Sequence, residues 1–322
     1  MQAYQTIVGT GPLGLAVMRE LLAQGKAVRM VNRSGKTKTS LPQAVELVQA
    51  DASNPTRMRE VFKETAVVYH CATAPYTGKA WETLLAPLMQ GIIAGAAANG
   101  AKVVYGDNVY AYGHVRGPIA EELPETATTR KGRARARIAQ MLRDAHTRGE
   151  VQATIGRGSD FFGPEVLLSL LGDRAFPAAL QGKAASMIGN IDMPHTYTFI
   201  DDFGKALVTL GAAEQAYGET WHVPNPETLT TRQVLQMVYE AAGHTLKVNS
   251  LSKPMIQVLG LFIEPVREMN EMYYEFGEAF VIDHRKYAGT FGDHATPWYE
   301  AIRRTLNWYR QHLATSTAVQ VA

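Results

Sequence analysis

Cysteine is nearly absent: Cys71 stands alone in 322 residues, so no disulfide can close within the chain. A reducing compartment fits that usage. Long hydrophobic runs are missing too. A membrane-spanning helix needs roughly 18–20 apolar residues. The longest candidate, Pro254 to Val266, is shorter and contains Glu264. The first apolar run, Tyr4 to Val8, goes straight into a glycine turn with no basic leader or cleavage site, so no secretion signal is expected. Net charge is small. Lys and Arg total 32 against 30 Asp and Glu, which leaves +2 and no general attraction to nucleic acid or acidic membrane. Neither C-x-x-C nor H-E-x-x-H occurs, so no metal site is expected. There is no internal repeat and no low-complexity tract. These absences lead us to expect a cytoplasmic protein without nucleic-acid or membrane partners.

What is present is an ordinary globular composition, 46% hydrophobic and 19% charged. The first half alternates short β-rich runs with helical spacing. Strands are expected at Thr6–Val8, Ala27–Val31, Val45–Val48, Ala66–Tyr69, Val103–Tyr105 and Val151–Ile155. Helices are expected around Leu13–Leu22, Met58–Phe62, Trp81–Ala98 and Arg133–His146. Such alternation means βαβ units, right-handed crossovers and an α/β fold with a doubly wound parallel sheet. After about Gly158 the alternation weakens, and Pro164, Pro177, Pro194, Pro224, Pro226, Pro254 and Pro265 break the chain into short pieces. A last helix is expected at Trp298–His312, with Trp298, Ile302, Leu306 and Tyr309 on one stripe.

The sharpest motif is Gly9-Thr10-Gly11-Pro12-Leu13-Gly14, which follows the first strand and opens the first helix. Gly9 permits the tight turn, Gly11 lets backbone approach a diphosphate, and Gly14 lets helix and strand pack closely. The helix N-terminus adds free N–H groups and partial positive charge. The context is that of a Rossmann-type dinucleotide site. Residues 1–158 are accordingly expected to form the dinucleotide-binding domain. Residues 159–313 would be mainly a smaller substrate lobe, with 194–212 returning to the first domain and 314–322 a mobile tail.

The second strand ends in Val31-Asn32-Arg33-Ser34. NAD sites usually carry Asp or Glu here for the ribose 2′-OH. Asn32 is uncharged, and the Arg33 guanidinium can pair with a 2′-phosphate. NADP is therefore the expected cofactor, with Asn32, Arg33 and Ser34 at its adenosine ribose. Asp51, followed by Ala52, is placed either to accept from the adenine amino group or to cap the next helix with Ser53 and Asn54.

Further segments carry a resemblance. Val68-Tyr69-His70-Cys71-Ala72, Val104 to Gly113 with its terminal Tyr-Gly, Ile155 to Pro164 with its terminal Gly-Pro, and Phe199 to Ala206 join the glycine motif over nearly the whole chain. Together they resemble the extended and atypical short-chain dehydrogenase/reductases, the NAD-dependent epimerase/dehydratase group. The resemblance implies that Cys71 and Ala72 lie beneath the cofactor and that the chain pairs as a homodimer through a two-helix face. Two departures stand out. The family's catalytic Ser or Thr falls on Asn108, and its Tyr-x-x-x-Lys motif is absent. Lys131 and Arg135 take the Tyr and Lys places.

Helical geometry divides the basic run Arg130 to Arg137. Lys131 and Arg135 share a stripe with Ile138 and Leu142 and point inward, whereas Arg130, Arg133 and Arg137 lie on the other side. In the family the Lys contacts the nicotinamide ribose, a contact that Arg135 would inherit. Lys131 is then the candidate proton donor or oxyanion-stabilising cation, and Asn108 holds the substrate oxygen. Tyr112 and His114, just after the fifth strand, are further candidates, and Tyr76, Tyr197 and His195 more distant ones. Met269, Met272, Tyr273, Tyr274 and Phe276 either line a pocket or form core.

The expected activity is hydride transfer between NADPH and a small or medium carbonyl compound. A nucleotide-sugar epimerase or dehydratase is the alternative within the same family. A non-catalytic NADP sensor is the alternative of another class.

Overall fold

Strand β1 (Tyr4–Val8) leads through the glycine turn into helix α1 (Pro12–Ala23), in a computed structural model that describes residues 3–321, without the side chains of 264, 265 and 316–321. Then come β2 (Val28–Asn32), β3 (Val45–Gln49), α2 (Pro55–Val61), β4 (Thr65–His70), α3 (Gly78–Asn99), β5 (Lys102–Asn108), a 3-10 turn at Tyr110–Tyr112, α4 (Arg130–Thr147) and β6 (Ala153–Gly158). The expected elements of the first half are all here; most run a few residues further at one or both ends, while β2 and β6 start one and two residues later than expected and α2 ends one residue earlier. Helix starts explain part of that extension: Asn54 accepts the Arg57 N–H at the head of α2, and Thr129 accepts the Gly132 N–H at the head of α4.

The second half begins with β7 (Asp160–Phe162), α5 (Phe176–Leu180), β8 (Ala185–Ile188), β9 (Pro194–His195), β10 (Tyr197–Phe199) and α6 (Ile200–Ala212). It continues through β11 (Thr220–His222), β12 (Leu229–Thr230), α7 (Thr231–Ala242), β13 (Val248–Leu251), α8 (Lys253–Gly260), α9 (Glu264–Asn270), α10 (Tyr273–Gly277), α11 (Arg285–Phe291) and α12 (Trp298–Val321).

Seven strands form one sheet in the order β11-β6-β5-β4-β1-β2-β3, with every pair parallel. Alternation along the strands sends successive side chains to opposite faces. Val8, Val31 and Val68 join the core under α2, α3 and α4, while Ile7, Met30 and Tyr69 join the core under α1 and α6. A parallel sheet covered on both faces is the doubly wound Rossmann architecture. The seventh strand, β11, was not expected, because three residues, Thr220 to His222, carry too little pattern. Strand β10 pairs with β7 outside the main sheet, and it is α6 that returns to the first lobe. There a Cβ on Gly204 would stand 2.6 Å from the Ala16 carbonyl carbon.

The second lobe has its own core of stacked rings, with Phe162 on Trp298 at 5.1 Å and Phe176 on Tyr309 at 5.5 Å. The segment from α9 to α10 bridges the lobes. Met272 and Tyr274 pack on the core of the first, and Met269, Tyr273 and Phe276 on that of the second. Among the described residues no helix is long and apolar enough to cross a membrane, and no cluster of His, Cys, Asp or Glu could hold a metal ion.

Candidate active site

The glycine turn shows three glycines needed for three reasons. Gly9 has φ of +112°, and a Cβ on it would meet the Ala72 N atom at 2.7 Å. A Cβ on Gly14 would lie 2.1 Å from the Gly9 oxygen. Gly11 is extended, and a Cβ there would meet nothing within 4 Å. Its side-chain position opens onto free space in front of α1, which has no side-chain cap and begins with Pro12. The first-turn N–H groups of Leu13 and Gly14 therefore have no partner inside the helix. Together with the open cradle at Gly11, they fit a diphosphate.

At the end of β2, Asn32 shapes the following loop. Its Nδ2 donates to Thr10 Oγ1 (2.9 Å) and to the Lys36 carbonyl (2.8 Å), and its Oδ1 accepts the Gly35 N–H (2.7 Å). Ser34 Oγ donates to the same Lys36 carbonyl. Asn32 and Ser34 are thus engaged with the protein itself, and exposed Arg33 is left facing solvent. Asp51 accepts from Ser53 N and Oγ at 2.9 and 2.7 Å. These bonds, helped by Arg33, hold its carboxylate below the usual range. Asn54 rather than Asp51 caps α2. Buried Ala52 packs against α3, and Cys71 and Ala72 line the floor of the turn, where Cys71 N donates to the Val8 carbonyl.

Helix α4 buries Lys131 and Arg135 with Ile138 and Leu142, and leaves Arg130, Arg133 and Arg137 exposed. Gly132 lets the helix head sit against the 3-10 turn, since a Cβ there would lie 2.6 Å from the Tyr110 carbonyl oxygen. Lys131 is 0% exposed. Its ammonium donates to the Glu268 carbonyl (2.9 Å), Glu268 Oε2 (2.5 Å) and Glu271 Oε2 (3.0 Å). An ammonium has three donors, and all three are engaged. In this arrangement Lys131 has no hydrogen-bond donor left for a substrate oxygen, contrary to the expected donor role. Two carboxylates, distant in sequence, hold it.

Arg135 donates to Tyr105 Oη (2.5 Å), Asp107 Oδ1 (3.4 Å) and Thr73 Oγ1 (3.1 Å), with its guanidinium carbon 4.4 Å over the Trp81 ring. Its Nε is buried without a partner. Asp107 also accepts from Tyr105 Oη and from Arg157 Nε, and Arg157 continues to Glu125. Asn108 Oδ1 accepts the Tyr110 N–H at 3.2 Å, and its Nδ2 donates to no protein atom among the described residues.

Tyr112 is not in the cleft group. Its hydroxyl meets His222 Nε2 at 2.9 Å, and His222 Nδ1 sits 2.8 Å from the Asp283 carbonyl. That carbonyl requires a proton on Nδ1, so Nε2 accepts from Tyr112. Burial pushes His222 down to about 3, which keeps the ring neutral. Tyr112 therefore ties β11 to the first lobe, with its hydroxyl engaged in this buried bond. His114 pairs with Glu278 at the surface, and Tyr197 bonds Thr231 inside the second core. Met272 belongs to core rather than to a pocket wall.

Sequence reasoning missed Glu268, Glu271 and Glu275, which approach α4 from the bridging segment. Glu268 and Glu271 stand three residues apart at the end of α9, whereas Glu275 lies in the separate helix α10.

The glycine turn and α4 converge on one loop: Gly9 touches Ala72, and Arg135 reaches Thr73. Residues 7–223 match the family model for the NAD dependent epimerase/dehydratase family. No curated protein matches. Among solved structures, UDP-glucuronic acid 4-epimerase from Bacillus cereus, in complex with UDP-glucuronic acid and NAD, superposes with a TM-score of 0.79. It shares 15% identity and covers 96% of this chain and 99% of its own. dTDP-glucose 4,6-dehydratase from Streptomyces venezuelae gives 0.76 at 16% identity, over 95% of this chain and 97% of that one. UDP-glucose 4-epimerase from Thermotoga maritima gives 0.77 at 16%, over 96% and 99%. With the family model spanning two thirds of its length, from the first strand past β11, the chain belongs to the NAD-dependent epimerase/dehydratase family.

Proposed function

We propose that this protein is a nicotinamide-dinucleotide oxidoreductase of the epimerase/dehydratase type whose substrate is a nucleotide-linked sugar. The observation that carries the reading is the convergence of the glycine turn and Arg135 of α4 on the loop from Cys71 to Thr73. When bound, the dinucleotide supplies and takes back a hydride. The first-turn N–H groups of α1 hold its diphosphate. Asn108, with a free amide donor, orients the reacting oxygen. Arg135 and Asp107 fix the floor of the site, and Lys131 pins the bridging segment across it. The solved relatives act on, or are bound to, UDP- and dTDP-sugars, which favours that substrate class over a simple carbonyl.

For the cofactor we favour NADP. Arg33 is exposed at the tip of β2, where the strand ends in Asn32 rather than in the Asp or Glu that holds a free 2′-OH. Charge-assisted bonds contribute about 1.5–3 kcal/mol each. Arg33→Asp should therefore weaken NADPH binding by roughly ten- to a hundredfold, with NADH binding unchanged or improved. Calorimetry with both nucleotides checks this, and equal loss for both would remove the assignment.

The activity is tested by incubating the purified protein with each dinucleotide and a panel of UDP- and dTDP-hexoses, aldehydes and ketones. Epimerisation, dehydration or oxidation of a nucleotide sugar is the expected result. Reduction of simple carbonyls alone would replace this reading by a carbonyl reductase. Dinucleotide binding with no turnover would replace it by a sensor.

A further inference from the structure

Helices α8 and α9 form a hairpin that belongs to the second lobe. A Cβ on Gly260 of α8 would lie 3.1 Å from the Arg267 Cα of α9, so the two helices are packed on each other. Ile256, Val266 and Met269 face the core of the second lobe. Before the hairpin, β13 pairs with β8, and Ser250 Oγ donates to the Gly189 carbonyl. After it, the Phe276 carbonyl accepts the Asn190 N–H at 2.8 Å.

The hairpin's grip on the first lobe is of another kind. Glu268 Oε2 accepts the Gly78 N–H at the head of α3 (2.8 Å), and Glu271 Oε1 accepts the Lys131 N–H at the head of α4 (3.2 Å). The Lys131 ammonium then closes on both carboxylates and on the Glu268 carbonyl. That carbonyl lies in the last turn of α9, where helix carbonyls lack partners and a cation is favourable. The Lys131 side chain is 0% exposed, whereas those of Glu268 and Glu271 keep 16% and 20% of their surface in water. The contact stands at the edge of the candidate site. Lys131 Nζ lies 5.0 Å from the centre of the Tyr76 ring, and Tyr76 and Gly78 continue the stretch whose other end, Cys71 to Thr73, lines the glycine turn. The shut arrangement also carries a cost. Beyond Met272, which is buried in the first core, the Tyr274 hydroxyl and both Glu275 carboxyl oxygens are buried without a hydrogen-bond partner. Unpaired buried polar groups are destabilising, and loosening of this joint would give them water.

We propose that Glu268 and Glu271 form a latch. Shut, it holds the hairpin against the heads of α3 and α4. Open, the hairpin turns about Met272, stays with the second lobe, and leaves Lys131 and the two helix heads to solvent, so that a nucleotide-linked sugar can enter between the lobes. The last step rests on the substrate class proposed above.

The Gly78 and Lys131 amides donate to the latch carboxylates, so their hydrogen exchange reports the latch with no substrate present. In the full-length wild type they should exchange through a local opening with little dependence on urea, while β4 and β5 exchange through global unfolding. Two variants loosen the latch from opposite sides: Lys131→Met, and Glu268→Gln combined with Glu271→Gln. Either should speed exchange at positions 78 and 131 at least tenfold, the scale of losing one charge-assisted bond, still with little dependence on urea. The two variants are separate, so failure of one to fold leaves the other to decide. Exchange at both amides only through global unfolding, in wild type and variant alike, would make the contact a plain structural ion pair and overturn the latch. For the nucleotide sugar that the wild type accepts, the Gln pair should lower KM by up to the same factor, because the open form is more populated. An unchanged or raised KM beside faster exchange would overturn the gating. A wild type that turns over no nucleotide sugar would overturn the substrate reading, and exchange at the two amides would still decide the latch.

Discussion

Asp107→Ala is expected to destabilise the fold by about 3–5 kcal/mol, the range for breaking a buried ion pair from one side. Asp107 is fully buried and accepts from Tyr105 Oη at 3.0 Å, Arg157 Nε at 3.1 Å and Arg135 at 3.4 Å. Without it, two buried guanidiniums remain. Glu125 answers only Arg157, and it is shared with Arg143. Urea unfolding should show a lower midpoint with an unchanged slope. Asp107→Ala combined with Arg157→Met should recover part of the loss, since the uncompensated charge rather than the missing contact is what costs. The exposed pair of Asp192 and Arg232 is the control. Breaking it should change stability by less than about 1 kcal/mol. Equal losses at the two sites would mean that the Asp107 cluster is solvated.

Gly14→Ala and Gly11→Ala are expected to separate folding from ligand binding. The new methyl at position 14 would sit 2.1 Å from the Gly9 oxygen, a backbone atom that cannot step aside. The turn must open, at about 1–3 kcal/mol for an overpacked site, and dinucleotide binding should disappear. At position 11 the methyl meets no protein atom and the backbone is extended. Stability should stay within about 0.5 kcal/mol, yet the methyl stands where the diphosphate must approach the backbone. Dinucleotide affinity should fall at least tenfold. Thermal unfolding and calorimetry on both variants check this. A Gly11→Ala protein that binds as the wild type does would place the diphosphate elsewhere.

The parts of this architecture that were legible in the sequence are those written locally. The glycine turn, the strand and helix periods of the first half and the inward stripe of Lys131 and Arg135 each depend on residues a few positions apart. What was not legible depends on contacts between distant residues. Glu268 and Glu271 meet Lys131 across 137 and 140 positions, and no local pattern announces that a buried ammonium will find two carboxylates. Without them, Lys131 reads as a free cation able to donate a proton. Tyr112 looks like a candidate for the cleft until His222, 110 residues on, is seen to take its hydroxyl. Strand β11 is visible only through its pairing with β6. Glu275 was overlooked because its neighbours, Met272, Tyr273, Tyr274 and Phe276, read as an apolar run in which one acid attracts no notice.

Asn32 illustrates a subtler limit. Its place at the tip of β2 suggested a direct part in holding the ribose, and the structure gives its amide four bonds within the protein. That leaves exposed Arg33, directly after β2, as the residue on which the cofactor assignment chiefly rests.

Calorimetric titration of the purified protein with NADPH and with NADH tests the central claim most directly. The account predicts one site per chain, with NADPH at least tenfold tighter than NADH. Heat from NADH alone would keep the turn and remove Arg33 from its assigned role, and no heat from either nucleotide at millimolar concentration would contradict the account at its root.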